Sequence, residues 1–164
     1  MPGLLLVNPQ SGSGSPDAEQ LTAEARRRGV DARILTREDD PAELARTADA
    51  EALGVAGGDG SLGTVAAVAL ERGLPFVCVP FGTRNHFARD VGLDRDDPVG
   101  ALAAFADGRE RRIDVGRAGE RIFLNNVSLG IYASLVHRRE HARRRRDALA
   151  RMRAVWLTLR NPRP

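Results

Sequence analysis

The sequence contains no lysine; all 25 of its basic residues are arginine. A Walker-type phosphate loop depends on a lysine reaching the phosphates, so that motif is excluded. Cysteine occurs once, at Cys78, so neither an internal disulfide nor a cysteine-based zinc cluster can form. Mid-strand between Val77 and Val79, Cys78 reads as a buried, inert thiol. Aromatic residues make up only 4%, and the most basic block has none interleaved, which argues against nucleic-acid binding. No apolar run approaches the ~20 residues that span a bilayer. The start, MPGLLLVNP, lacks the basic and long apolar regions of a signal peptide, so the expected compartment is the cytoplasm. No Ser/His/Asp arrangement at a nucleophile elbow is visible.

What is present suffices for one ordinary domain and the start of another: 164 residues, 42% hydrophobic and 29% charged. The net charge of +3 conceals a split. Residues 137–164 hold ten arginines against Glu140 and Asp147, leaving 15 arginines against 20 acids in residues 1–136. A basic tail on an acidic body points to an anionic partner or to a solvated helix.

Apolar runs alternate with helical patterns. Leu4 to Val7 reads as a buried strand ending in the turn Asn8-Pro9. A helix follows, with Ser15 as N-cap, Pro16 in its first position and Gly29 closing it. Val30 to Leu35 reads as a strand, and Asp40-Pro41-Ala42-Glu43 as a capping-box-like helix start. Leu53 to Ala56 is a strand, Ser61 to Arg72 a helix stopped by Gly73, Pro75 to Val79 a strand, and Pro98 to Ala106 a helix. This alternation predicts an α/β fold: a Rossmann-like, doubly wound parallel sheet with helices on both faces, over residues 1–111. After Arg111 the rhythm changes to two strands around Ala118-Gly119, the expected opening of a β-rich second domain over 112–164. From Leu135 onward a helix is expected, with Leu149, Met152, Val155, Trp156 and Leu159 at helical spacing.

Chemistry concentrates in GVAGGDGSLGTV, residues 54–65. Gly58, Gly60 and Gly63 fit the dinucleotide fingerprint G-x-G-x-x-G between a strand and a helix. That fingerprint expects a carboxylate at the end of the next strand, and PFVCVPFGT has none. Two readings remain: a strand-to-helix turn that needs glycine only for sterics, or glycine backbone approaching an anion at a helix N-terminus. Only the second gives Asp59 a purpose, through a Mg²⁺ ion shared with phosphates or through a ligand hydroxyl. A second loop, VPFGTRNHFARD, follows the next strand with Gly82, Thr83 and Asn85 at its apex. Ser11 to Gly14, after the first strand, faces the same sheet edge, where open α/β folds bind ligands.

GGDGS followed by PFGTRNHFARD resembles the catalytic domain of the diacylglycerol kinase family, which also includes sphingosine kinases and bacterial lipid kinases. NAD kinases and phosphofructokinases are more distant relatives through the GGDG loop. NPQSG near the start, IDVG at 113–116 and FLNNVSLG at 123–130 are similar to further landmarks of the family. The resemblance implies ATP as phosphoryl donor, Mg²⁺, and a lipid hydroxyl such as that of diacylglycerol as acceptor. Carried over by position, Gly57, Gly58, Asp59, Gly60 and Ser61 hold the nucleotide phosphates. Asn8 and Ser11 line the adenosine side, while Gly82, Thr83 and Asn85 complete the cleft. Asp59 is the metal-holding residue and the first catalytic suspect.

Two features depart from the family pattern. Most members carry Asn-Asp in the second loop where this chain has Asn85-His86. Members are also longer, with a β-sandwich domain that supplies the general base and the lipid pocket. The expected function is therefore the ATP-binding portion of a lipid kinase. One rival is an NAD-kinase-like phosphotransferase, whose Asn-Glu pair is missing here because no glutamate lies between Glu71 and Glu110. Another rival is a non-catalytic nucleotide-binding or oligomerising module. The arginine-rich helix is read either as a peripheral contact to the inner membrane face or as a solvated helix. A homodimer is a further expectation.

Overall fold

The computed structural model describes residues 2–12 and 14–125, and Met1 to Asn125 forms one compact unit. Ser13, the expected helix from Leu135 and the basic segment 137–164 lie outside the described residues.

Four parallel strands form the sheet: β1 (Gly3–Val7), β2 (Asp31–Ile34), β3 (Ala52–Gly57) and β4 (Phe76–Pro80), in the order β2-β1-β3-β4. Their register sets Leu6 beside Arg33 and Val55, and Val55 beside Cys78. Successive side chains of a strand point to opposite faces, so the continuous apolar runs feed two cores. Leu5, Val7, Val77 and Val79 pack under helix α1 (Ala18–Arg27) through Leu21 and Ala25, together with Leu102 and Phe105. Leu4, Leu6, Leu53, Val55 and Cys78 pack on the other face against α2 (Pro41–Thr47) and α3 (Asp59–Arg72) through Ala45, Leu62, Val65 and Val68. The doubly wound α/β architecture expected from the sequence is present.

The order of the strands positions the site. From β1 the chain crosses by α1 to β2 on one side; from β3 it crosses by α3 to β4 on the other side. Neighbouring strands whose connections diverge leave a crevice at their C-terminal ends. The loops after β1 and β3 flank that crevice.

Local chemistry moves several boundaries. Helix α1 is capped by Asp17, not Ser15: Asp17 Oδ1 accepts from the Gln20 N–H at 2.8 Å, and Gln20 Oε1 accepts from the Asp17 N–H at 2.9 Å. Ser15 has Ala18 three residues on and no such reciprocal partner. Pro16 precedes the helix, after a cis peptide bond. At α2 the cap Asp40 and Pro41 stand as expected, but the Glu43 side chain meets Arg46 instead of closing a box. Helix α3 starts two residues earlier than expected, at Asp59, and ends at Gly73 in the left-handed conformation, φ +65°. The single helix expected over 98–106 is two short ones, α5 (Pro98–Ala101) and α6 (Ala104–Asp107). Between them the backbone tightens into i→i+3 bonds, Ala103 N–H to Gly100 C=O and Phe105 N–H to Leu102 C=O. One helix was not anticipated: α4 (His86–Asp90), inside the second loop.

Strands β5 (Gly116–Ala118) and β6 (Arg121–Phe123) form the expected antiparallel hairpin. Its turn falls one residue later, on Gly119 and Glu120. The hairpin lies against α3 within the unit that ends at Asn125, with the Ile122 carbonyl facing Gly63.

Candidate functional site

Three loops meet at the C-terminal edge of the sheet: residues 8–12 after β1, 58 after β3 leading into α3, and 81–85 after β4 leading into α4. Asn8 extends the ladder by donating its N–H to the Ala56 carbonyl at 2.9 Å. Its side chain then works in two directions. Oδ1 accepts from the Gln10 N–H at 3.0 Å, shaping the first loop, and Nδ2 donates to Ser61 Oγ at 2.8 Å, tying that loop to α3. Ser11 is half-buried beside it and donates its N–H to the Asn8 carbonyl. At Gly12 the first loop rests on the ring of Phe81, leaving no room for a side chain.

Gly58 is the N-cap of α3, with no side chain to accept from the helix's first N–H groups. The Ser61 N–H is taken by the Gly58 carbonyl at 2.8 Å; the N–H groups of Asp59 and Gly60, with the positive end of the helix dipole, are the arrangement that attracts an anion. Gly82, in the second loop, is where the backbones approach most closely. A Cβ there would lie 2.4 Å from Gly58 Cα and 2.9 Å from Gly58 N, and neither atom can move as a side chain would. Gly82 is thus required for the two loops to touch.

Asn85 is 5% exposed and adopts φ +47°, in the left-handed region. Its side chain folds back on Gly82, Oδ1 accepting from the Gly82 N–H and Nδ2 donating to the Gly82 carbonyl, both at 2.9 Å. It therefore cannot also cap α4. Asp59 does that from the other loop: its Oδ2 accepts from the His86 N–H at 3.1 Å and its Oδ1 from the Phe87 N–H at 2.9 Å.

Of the residues singled out in the sequence, Asn8, Ser11, Gly57, Gly58, Asp59, Ser61, Gly82 and Asn85 are joined in one network of bonds and close contacts. Gly60 opens to space, since a Cβ there meets nothing within 4 Å, and Thr83 sits exposed at the second loop's apex. Sequence reasoning missed the partners that hold the network: the Phe81 ring and the N–H groups of His86 and Phe87. Backbone donors carry no signature in a sequence.

Electrostatically, burial first and the Asp59 carboxylate second push the Cys78 thiol up to about 12, in keeping with an inert buried cysteine. Beyond β2, Asp39 is held below the usual carboxylate range by the N–H and hydroxyl of Thr36 and by Arg33. Among the described residues no group of three or more His, Cys, Asp or Glu side chains is placed to share a metal ion. Asp59 alone brings a hard carboxylate oxygen to the loops. Each of its oxygens uses one acceptor site on a backbone N–H and keeps another. That suffices for Mg²⁺, which commonly takes one or two protein carboxylates and fills its shell with phosphate and water.

Comparison with known proteins bears on the family of the chain. Residues 2–118 match the diacylglycerol kinase catalytic domain. A diacylglycerol kinase of Mycobacterium tuberculosis is 33% identical over 159 residues, covering 90% of this chain and 51% of the relative. A probable YegS-like lipid kinase of Klebsiella pneumoniae is 28% identical over 142 residues, covering 82% of this chain and 48% of the relative. The chain thus spans about half the length of the curated relatives it matches. The crystal structure of a diacylglycerol kinase from Bacillus anthracis superposes with a TM-score of 0.62 at 22% identity, over 76% of this chain and 50% of the other, showing the same fold. The chain belongs to the diacylglycerol kinase catalytic domain family.

Proposed function

We propose that this chain carries the nucleotide-binding portion of an ATP-dependent lipid kinase. Such an enzyme transfers the γ-phosphoryl group of ATP to the hydroxyl of a lipid such as diacylglycerol. The observation that carries the reading is the bare N-terminus of α3, left open by Gly58 in the crevice between β1 and β3. Family membership supports a nucleotide as the ligand of that opening.

In this reading the phosphates lie on the first turn of α3, over Gly58, Gly60 and Ser61, with Gly57 below. Asn8 and Ser11 border the adenosine side, and Gly82 and Thr83 border the side from which the acceptor enters. Asp59 holds Mg²⁺ through its free acceptor sites, and the ion when bound neutralises charge on the transferring phosphoryl group. The protein's own part is orientation and fixed dipoles, which dominate phosphoryl transfer and need no lysine. The acceptor oxygen forms its bond to the γ-phosphorus as the bond to the bridging oxygen of ADP breaks. The hydroxyl proton goes to a base that the family pattern assigns to the β-rich domain, expected to open at residue 112. Contact of the arginine-rich segment with an anionic membrane face, and a homodimer, belong to the same proposal.

Isothermal calorimetry with ATP and Mg²⁺ on the wild type and Gly58→Ala tests it. The added Cβ would sit 3.5 Å from Gly82 Cα, an ordinary contact, so the protein tolerates it while a phosphate on the helix end does not. Affinity should fall at least about tenfold, or about 1.4 kcal/mol. Equal affinity in the two proteins overturns the reading. Binding without any transfer to diacylglycerol by a longer natural form would favour a non-catalytic nucleotide-binding module.

A further inference from the structure

A carboxylate at the start of α3 is at odds with an anion site, because it repels the phosphates that the helix end attracts. The geometry supplies a reason for it. Helix α4 has five residues, too few to hold together unaided. Its own N-cap residue, Asn85, has no bond to the helix's first N–H groups, because its amide is committed to Gly82. The missing cap comes from Asp59, 27 residues earlier, whose two oxygens take the N–H groups of His86 and Phe87. Bonds from backbone donors to a carboxylate are charge-assisted, and a negative charge at a helix N-terminus is further favoured by the dipole.

We propose that Asp59 is a positioning residue, a clasp between the two loops, whose carboxylate holds the second loop in the place that lets Gly82 lie on Gly58. The clasp works before any metal or nucleotide arrives. Its two oxygens satisfy the N–H groups that open α4. The consequence for ATP rests on the nucleotide-binding reading above; the clasp itself does not. Metal holding by the remaining acceptor sites of Asp59 is compatible with the clasp, and the clasp is lost in a variant even where no metal is bound.

Amide hydrogen exchange decides this on the intact chain. In the wild type, the His86 and Phe87 amides should exchange slowly, like helix-interior amides, with or without EDTA. Fast exchange at both overturns the clasp. In Asp59→Asn, one oxygen is replaced by a donor that faces another donor. The two amides should then exchange at least about tenfold faster, while amides of β1, β3 and α1 keep their protection. ATP affinity should fall in EDTA as well as in Mg²⁺, where the lost metal-holding oxygen adds to the effect. Asp59→Glu retains the charge and a metal-binding oxygen but displaces the carboxylate by one methylene, and should behave like Asp59→Asn. A loss seen only with Mg²⁺, or full recovery in Asp59→Glu, would assign Asp59 to the metal and overturn the proposal. Absence of ATP binding by the wild type would sink the nucleotide reading and leave the exchange result to judge the clasp.

Discussion

Helices α1 and α3 follow neighbouring strands and start on the same edge of the sheet, yet they begin in opposite ways. The first turn of α1 is closed by its own sequence, with Asp17 and Gln20 satisfying each other's backbone. The first turn of α3 starts on Gly58, which has no side chain to cap it and offers only its carbonyl, to the Ser61 N–H. The difference shows how one fold separates scaffold from site. A helix that caps itself is finished, whereas a helix left uncapped presents its N–H groups to whatever enters the crevice. The open end lies at the divergence of β1 and β3, with Gly82 against it, and in the proposed reading it is the cradle for the phosphates.

The largest way to break the contrast is Gly82→Ala. Its Cβ would meet backbone atoms of Gly58, and Asn85 Oδ1 at 2.8 Å, so the loops must part. Overpacking of this kind costs about 1–3 kcal/mol. Urea unfolding should show that loss, and calorimetry should show ATP binding weakened further than the stability change alone requires.

Exchanging the two kinds of helix start sharpens it. Gly58→Asp gives α3 the kind of cap that α1 has. Stability should rise by a few tenths of a kcal/mol or stay level, since glycine is only slightly worse than aspartate at an N-cap. Nucleotide binding should nonetheless disappear. Asp17→Ala should do the reverse, lowering stability by about 1 kcal/mol with ATP affinity unchanged. A Gly58→Asp protein that binds ATP as the wild type does would end the contrast.

The smallest effect, nil at neutral pH, lies behind the site at Cys78. Its folded pKa is raised from 9.0 to about 12, so the folded state keeps the proton after the unfolded chain has released it. The associated stability is complete below pH 9 and is lost as pH rises toward 12. Cys78→Ala should flatten that alkaline decline in unfolding curves. The wild-type thiol should resist alkylation in the native protein at pH 8 and react once denatured.

Much of the fold was legible because buried parallel strands read as short continuous apolar runs, and Leu4 to Val7, Leu53 to Ala56 and Pro75 to Val79 are such runs. The glycine loops were legible as positions, since turn residues between a strand and a helix stand out in a chain. What they do to one another was not. Asp59 meets His86 across 27 residues, and the donors it meets are backbone N–H groups, which every residue but proline carries. Helix α4 escaped for a related reason: five residues are too few for a period of 3.6 to show. The shift of the α1 cap from Ser15 to Asp17 reflects two capping residues close together, decided by which has a partner three positions on.

Asn85 carries a consequence for how much variation the site accepts. Its position asks for a left-handed backbone, an acceptor for the Gly82 N–H and a donor for the Gly82 carbonyl at once. Glycine meets the first demand and neither of the others. Aspartate tolerates the conformation and accepts, but has no N–H to return, while glutamine carries both groups on an arm one methylene too long. Asparagine carries the acceptor and the donor on one short planar amide and tolerates the conformation, so it satisfies all three demands. The second loop is therefore a place where the alphabet narrows sharply, although no atom of that side chain needs to touch the substrate.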